Sequence, residues 1–150
     1  MNPHTLVPGG VMSSVLIAEP QEEIQTGLSS FFSSRGHKVV ETARDGVEAY
    51  AKIQLRKPDL VLLSVNLTRM DNIALARWVK AWSPATRVVF VTPHEGETFR
   101  QFAVLLSIDG SVCALTLEKD LPAIMTKFTE EIVPSNTKHS LYNYSWGETL

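Results

Sequence analysis

The sequence predicts an α/β layer fold on a parallel sheet, and three observations predict it. Short apolar runs recur without charges: Val15-Leu16-Ile17-Ala18, Leu60-Val61-Leu62-Leu63 and Val88-Val89-Phe90-Val91. Runs of this length, bounded by turn residues, suit strands buried on both faces. Between them lie stretches whose apolar residues fall at helical spacing. The two patterns alternate five times between Ser14 and Ile132, which implies strands joined by right-handed helical crossovers. In such sheets the functional crevice lies at the carboxyl ends of the strands. Lys57 to Asp71 is the central strand and its exit, so Ser64, at the strand's carboxyl end, is the residue around which any chemistry should be written.

The bulk properties are those of one ordinary globular domain. The chain has 150 residues, 44% of them hydrophobic and 20% charged. A net charge of −2 argues against a dedicated nucleic-acid surface. No apolar run approaches the roughly 20 residues of a membrane span, and no secretory signal opens the chain. Cys113 is the single cysteine, which excludes an internal disulfide or a multi-thiolate metal site. A cytoplasmic protein with a buried, inert thiol is expected.

In chain order, 1–13 is a flexible lead punctuated by Pro3, Pro8, Gly9 and Gly10. A first strand ends at Glu19, and Pro20 suits the first position of a helix whose stripe is Ile24, Leu28, Phe31 and Phe32. Gly36 stops it, and His37 to Ala43 forms the second strand. Asp45 caps the next helix, with Val47, Tyr50, Ala51 and Leu55 turned inward. After the central strand, Asp71 or Asn72 caps a third helix running to Trp82, with Ile73, Leu75, Ala76 and Val79 on its apolar face. Arg87 to Thr92 is the fourth strand, Glu97 to Leu106 a short helix, and Ser111 to Thr116 the fifth strand after an Asp109-Gly110 turn. A final helix carries Leu121, Ile124, Met125, Phe128 and Ile132 until Pro134 ends it. The domain is thus 14–133, followed by a tail, 134–150, with Tyr142, Tyr144 and Trp146, which is either frayed or a docking segment.

This order of features resembles the receiver domain of two-component response regulators. The resemblance rests on Val15-Leu16-Ile17 before an acidic position, the Asp45-Gly46 turn, Pro58-Asp59-Leu60-Val61-Leu62-Leu63 leading to Leu67-Thr68-Arg69-Met70-Asp71, Thr92 ending the fourth strand, and Asp109-Gly110 before the fifth. It implies a flavodoxin-like, doubly wound five-stranded sheet of order 2-1-3-4-5, with its switch point between the first and third strands.

The resemblance also implies a degenerate, pseudo-receiver site. Where a working receiver has two adjacent acids, this chain has Glu19 and Pro20; where it has the phosphoaccepting aspartate, Ser64. Thr92 matches the conserved hydroxyl, Ala114 replaces the lysine, and Ser111 the aromatic switch residue. An aspartyl carboxylate is the nucleophile that forms the acyl phosphate, and a serine hydroxyl with no base beside it is a poor substitute. Glu19 with the Asn66 carbonyl makes a poor Mg²⁺ site, and Ala114 leaves the developing charge without a fixed cation; each of these losses costs roughly 3–4 kcal/mol by analogy with other single-donor deletions. No catalytic residue, metal or other cofactor is expected. His4, His37, His94 and His139 are scattered, Lys119 lies five positions beyond the lysine's place, and no glycine-rich phosphate loop is present.

What remains is surface. The family docks partners or a second copy through the face of its fourth helix, fifth strand and fifth helix, and here Phe99, Phe102, Val104, Leu105 and Leu106 make that helix apolar nearly all round. The expectation is a non-enzymatic, phosphorylation-independent receiver with no output domain, acting on a protein partner or as a homodimer, with no nucleic acid or membrane. The alternative is a small α/β ligand-binding protein or enzyme using a Glu19/Ser64/Thr92 crevice.

Overall fold

A computed structural model of the chain describes residues 14–94 and 97–138. The predicted lead, 1–13, and the aromatic end of the tail lie outside the described residues, as do the side chains of Phe99 and Phe102. Among the described residues the order is β1 (Ser14–Ala18), α1 (Glu22–Ser34), β2 (Lys38–Ala43), α2 (Gly46–Arg56), β3 (Leu60–Ser64), α3 (Asn72–Trp82), β4 (Arg87–Thr92), α4 (Glu97–Leu105), β5 (Gly110–Cys113) and α5 (Leu117–Lys138). The chain divides into two compact units after Leu117, so the sheet with α1 to α4 forms one and α5 the body of the other.

The five strands are parallel in the order β2-β1-β3-β4-β5, as expected. β3 is buried from end to end, as its apolar run demanded. Alternation along the strands then divides the core. Leu16, Ala18, Val61, Leu63, Val88 and Phe90 share one cluster with Ala49 and Ile53 of α2 and Leu75, Ala76 and Val79 of α3. The alternate residues Val15, Ile17, Leu60, Leu62, Val89 and Val91 are equally buried and point to the opposite face, that of α1 with its buried Leu28 and Phe32.

Capping follows the sequence at two helices. The Asp45 carboxylate accepts from the Glu48 amide at 2.8 Å, and that of Asp71 accepts from the Ile73 amide at 2.9 Å. Gly36 takes a φ of +87°, the left-handed conformation a helix stop favours.

Other expectations are corrected. Pro20 lies before the helix, because Gln21 is the extended cap residue of α1. Val47, Ala51 and Leu55 face outward, Leu55 being 74% exposed, while Gly46, Ala49 and Ile53 form the buried face of α2. The outward flank lies beside an aromatic ladder in which Tyr50 meets Trp78 at 4.5 Å and Trp78 stacks on Trp82 at 5.0 Å. The fifth strand stops at Cys113, and Ala114–Thr116 forms a 3₁₀ turn. α4 ends one residue early, at Leu105, where Ser107 turns left-handed at φ +59° and donates its amide to Val104 O.

α5, taken by itself, starts at Leu117 with Glu118 and Asp120 in its first turn, where carboxylates favour the helix dipole. It continues past Pro134 to Lys138. Proline forfeits one helical hydrogen bond but its fixed φ is a helical one, and no glycine stands nearby to stop the helix.

Candidate functional site

The site lies where the carboxyl ends of β1 and β3 meet. Ala18 pairs in register with Leu63, which sets Glu19 beside Ser64 one step further on. Both are buried: Glu19 is 2% exposed and Ser64 1%. The Glu19 backbone is fixed from two directions, its amide donating to Ala43 O at 2.9 Å and its carbonyl accepting from Gln25 Nε2 at 3.1 Å.

The Glu19 carboxylate accepts the Gln21 amide at 2.8 Å on Oε2, and Ser64 stands beside it at the end of β3. Ser64 Oγ in turn accepts the Asn66 amide at 3.1 Å. Burial pushes the Glu19 carboxyl above its ordinary range, and the Gln21 amide and the Ser64 hydroxyl draw it partly back. Neither of these donors carries a charge.

Of the other sequence-predicted positions, Asn66 joins this chain of bonds through its backbone amide, and the rest stand apart from it. Thr92 is 4% exposed, and its hydroxyl is given to Val112 O of β5 at 3.3 Å. Pro20 is half-buried and links Glu19 to Gln21 without charge or amide proton. Asn66 contributes its amide while its side chain is exposed. Ala114 opens the 3₁₀ turn after β5 with a methyl group where a cation would be needed. Ser111 lies within β5 beside Phe90. In the Glu19/Ser64/Thr92 crevice the carboxylate and the Ser64 oxygen each accept a backbone amide and the Thr92 hydroxyl is given to a backbone carbonyl, which leaves little to hold a ligand.

Mg²⁺, the ion a receiver site implies, asks for near-octahedral oxygen ligands with one or two accessible carboxylates. Among the described residues no three His, Cys, Asp or Glu side chains gather. The carboxylate that the described residues place here, Glu19, is buried and already accepts a backbone amide. The residues present do not fit the ion.

Some contributors were not read from the sequence. Gln21 acts through its backbone amide, which no side-chain pattern advertises. The loop after β3 is seated on the start of α2: the Gly46 amide donates to Thr68 O at 2.8 Å, and Arg69 reaches the Asp45 carboxylate at 3.5 Å. A Cβ on Gly46 would come within 2.5 Å of Met70 Cβ, so glycine is needed for that approach. The signal lies in the Asp45-Gly46 pair, whose aspartate the sequence marks as a cap and whose glycine it marks as a turn but not as a packing contact.

On α4, Val104 and Leu105 are 76% and 77% exposed, and Leu106 packs in part against the core. No described helix is long and apolar enough to cross a membrane.

Comparison with known proteins agrees with this architecture. The response regulator receiver domain model matches residues 15–121. The transcriptional regulatory protein PdtaR of Mycobacterium tuberculosis is 38% identical over 74 residues, covering 49% of this chain and 36% of that protein. The response regulator protein VraR of Staphylococcus aureus is 28% identical over 116 residues, covering 75% of this chain and 54% of that one. The chain thus spans about half the length, or less, of these curated relatives. Among solved structures, a CheY-like response regulator receiver domain protein from Methanospirillum hungatei superposes with a TM-score of 0.69 at 18% identity, covering 80% of this chain and 95% of that one. With the sheet order, the site at the β1/β3 switch point and a match over most of its length, this chain belongs to the response regulator receiver domain family of two-component systems.

Proposed function

We propose that this receiver domain signals through protein contact, without an aspartyl phosphate and without enzymatic activity of its own. One observation carries the reading: the residue at the carboxyl end of β3 is Ser64, 1% exposed, with its oxygen accepting the Asn66 amide. Attack on a phosphoryl donor needs a carboxylate or an activated hydroxyl. Ser64 is neither, and Ala114 offers no charge to the transferring group.

The contact surface proposed is the α4 side, where Val104 and Leu105 project into solvent. Its partner is a signalling protein or a second copy of the domain, in keeping with the docking face that the family resemblance implies.

Incubation with acetyl phosphate and Mg²⁺, followed by intact mass measurement, is expected to leave the chain unmodified, and beryllofluoride should shift no amide resonance. Stoichiometric labelling at any residue overturns the reading. For the surface, the Val104→Ser/Leu105→Ser pair should lose self-association, or binding to a purified partner, by at least tenfold. Stability should change by no more than about 0.5 kcal/mol, since the side chains are exposed. Unchanged association removes α4 from the proposal.

A further inference from the structure

We infer that the outer face of α2 is a docking surface for a second copy of this domain, packed antiparallel across it about Ala51. The inference goes beyond the proposed function: it concerns a different helix from α4 and does not depend on the chemistry at Ser64. Val47 is 39% exposed and Leu55 74%, and Ala51 between them is exposed as well. In an α-helix these three fall within about 80° of arc, roughly opposite the buried Gly46, Ala49 and Ile53. Single exposed apolar side chains are ordinary. Three at intervals of four form a continuous ridge, on a face that a solvated helix fills with polar residues. Valine is also a weaker helix former than the lysine or glutamate that solvent would accept there.

The ridge is complementary to itself. With its smallest residue at the centre, two such helices can cross with their axes about 8 Å apart. Reversed onto a copy, Ala51 meets Ala51, and Val47 meets Leu55 of the second copy at each end. That is the isologous contact of a two-fold dimer, in which one patch serves both partners. Charge selects the antiparallel arrangement. The neighbouring row of α2 is Glu48, Lys52 and Arg56, and reversal sets each Glu48 opposite the interval between Lys52 and Arg56 of the second copy. A parallel pair would set the row against Tyr50 and Gln54 on the far flank, leaving its charges unmatched. Glu48 is paired to Lys52 and Arg56 to Glu41 within the chain, yet their side chains remain 40% and 49% exposed and can take a second partner. Arg44, at the head of the row, falls opposite position 58, past the end of the other helix. The two helix dipoles also run antiparallel. Beside the ridge, the ladder of Tyr50, Trp78 and Trp82 carries apolar surface on to α3, Trp82 being 38% exposed. A contact centred on one eleven-residue helix stays below the roughly 1,200 Å² of a standard interface, which makes the dimer a weak, concentration-dependent one.

The test uses the full chain. Sedimentation equilibrium from about 5 to about 500 µM should show monomer passing to dimer. Ala51→Glu places two like charges at the two-fold axis and should raise the dimer dissociation constant at least tenfold, with the urea midpoint unchanged. Register is read by disulfide trapping under diamide, with the wild type, whose one cysteine is the buried Cys113, as blank. Ala51→Cys should cross-link to itself. Val47→Cys and Leu55→Cys should each cross-link poorly alone and at least fivefold more when mixed. A monomer at every concentration overturns the inference, as does a dimer that Ala51→Glu leaves intact, or a mixture that traps no better than its components. Should Ala51→Glu fail to fold, the wild-type sedimentation and the cysteine mixture decide. Self-association lost in Val104→Ser/Leu105→Ser but kept in Ala51→Glu sinks this inference and supports the α4 surface. The converse result supports it and leaves α4 to a different partner.

Discussion

Two carboxylates at opposite ends of the same sheet are held in opposite ways. Asp109, entering β5, accepts Lys80 Nζ at 3.0 Å, Arg87 Nη1 at 3.5 Å and the Val88 amide at 2.8 Å. Its side chain is 13% exposed. Glu19, leaving β1, is more deeply buried and accepts the Gln21 amide, with the Ser64 hydroxyl beside it. At the amino end of the sheet, charges that pin α3, β4 and β5 together are paired with cations. At the carboxyl end, where the family does its chemistry, the carboxylate remains and neutral donors surround it. The difference teaches that fold maintenance and reactivity occupy separate ends of the sheet, so the second can change while the first stays intact.

The largest expected effect tests the pinned end. Asp109→Ala leaves the Val88 amide and two cations without their common acceptor. Lys80 keeps Pro84 O and Thr86 O as acceptors, and its side chain is 20% exposed. The cost is therefore set below that of breaking a fully buried pair, at about 2–3 kcal/mol. Urea unfolding checks it. A loss under about 1 kcal/mol would mean that the pin is ornamental, and the contrast with Glu19 would collapse.

Next comes Glu19→Gln, which keeps the shape and an oxygen for the Gln21 amide while removing the buried charge. At pH 7 the variant should be as stable as the wild type, or more stable by up to about 1 kcal/mol. Asp109→Asn, the equivalent change at the other end, should destabilise. A Glu19→Gln variant that loses as much as Asp109→Asn would show that the Glu19 charge is fully compensated, contrary to the comparison.

How far the sequence foretold this contrast depends on the range of the interaction. The strand runs, the Asp45 and Asp71 caps and the Gly36 stop were legible because each is decided within a few residues. The pairing of Glu19 with Ser64 was legible through the family resemblance, since the sheet order brings those two strand ends together. The sequence misplaces the buried face of α2 because Val47, Ala51 and Leu55, on its outward flank, are themselves apolar, whereas Tyr50 does pack against the core. Helical periodicity offers two stripes there, and the tight approach of Met70 to Gly46 selects the other. Asp109 was read as a turn residue, since its partner Lys80 lies 29 positions away and no local pattern connects them. The amides of Gln21 and Asn66 were illegible for a different reason: every residue but proline carries one.

The smallest effect is in the pH dependence, and it separates Glu19 from the surface carboxylates by sign. Burial raises the Glu19 carboxyl above its ordinary value of 4.5, whereas the unfolded chain leaves it near that value. Between 4.5 and the raised folded value the native state holds the extra proton, so stability falls as pH rises through that window and levels above it. Glu41, lowered chiefly by its hydrogen bond from Arg56, Asp45, lowered by the Glu48 amide, and Glu48, lowered by the Arg44 amide, act the other way. Their contribution is present above their unfolded values and is lost as pH falls through their lower folded ones. Below pH 4.5 the surface groups should govern, and wild type and Glu19→Gln should lose stability in parallel on acidification. Just above pH 4.5 only the wild type carries the descending component from Glu19. Urea midpoints measured every half unit from pH 3.5 to 7 should thus show a difference, Glu19→Gln minus wild type, that grows with pH and then holds constant. A difference that stays flat across the range would mean that Glu19 titrates as an exposed carboxylate does, its burial fully offset by the donors beside it, and the contrast with Asp109 would collapse.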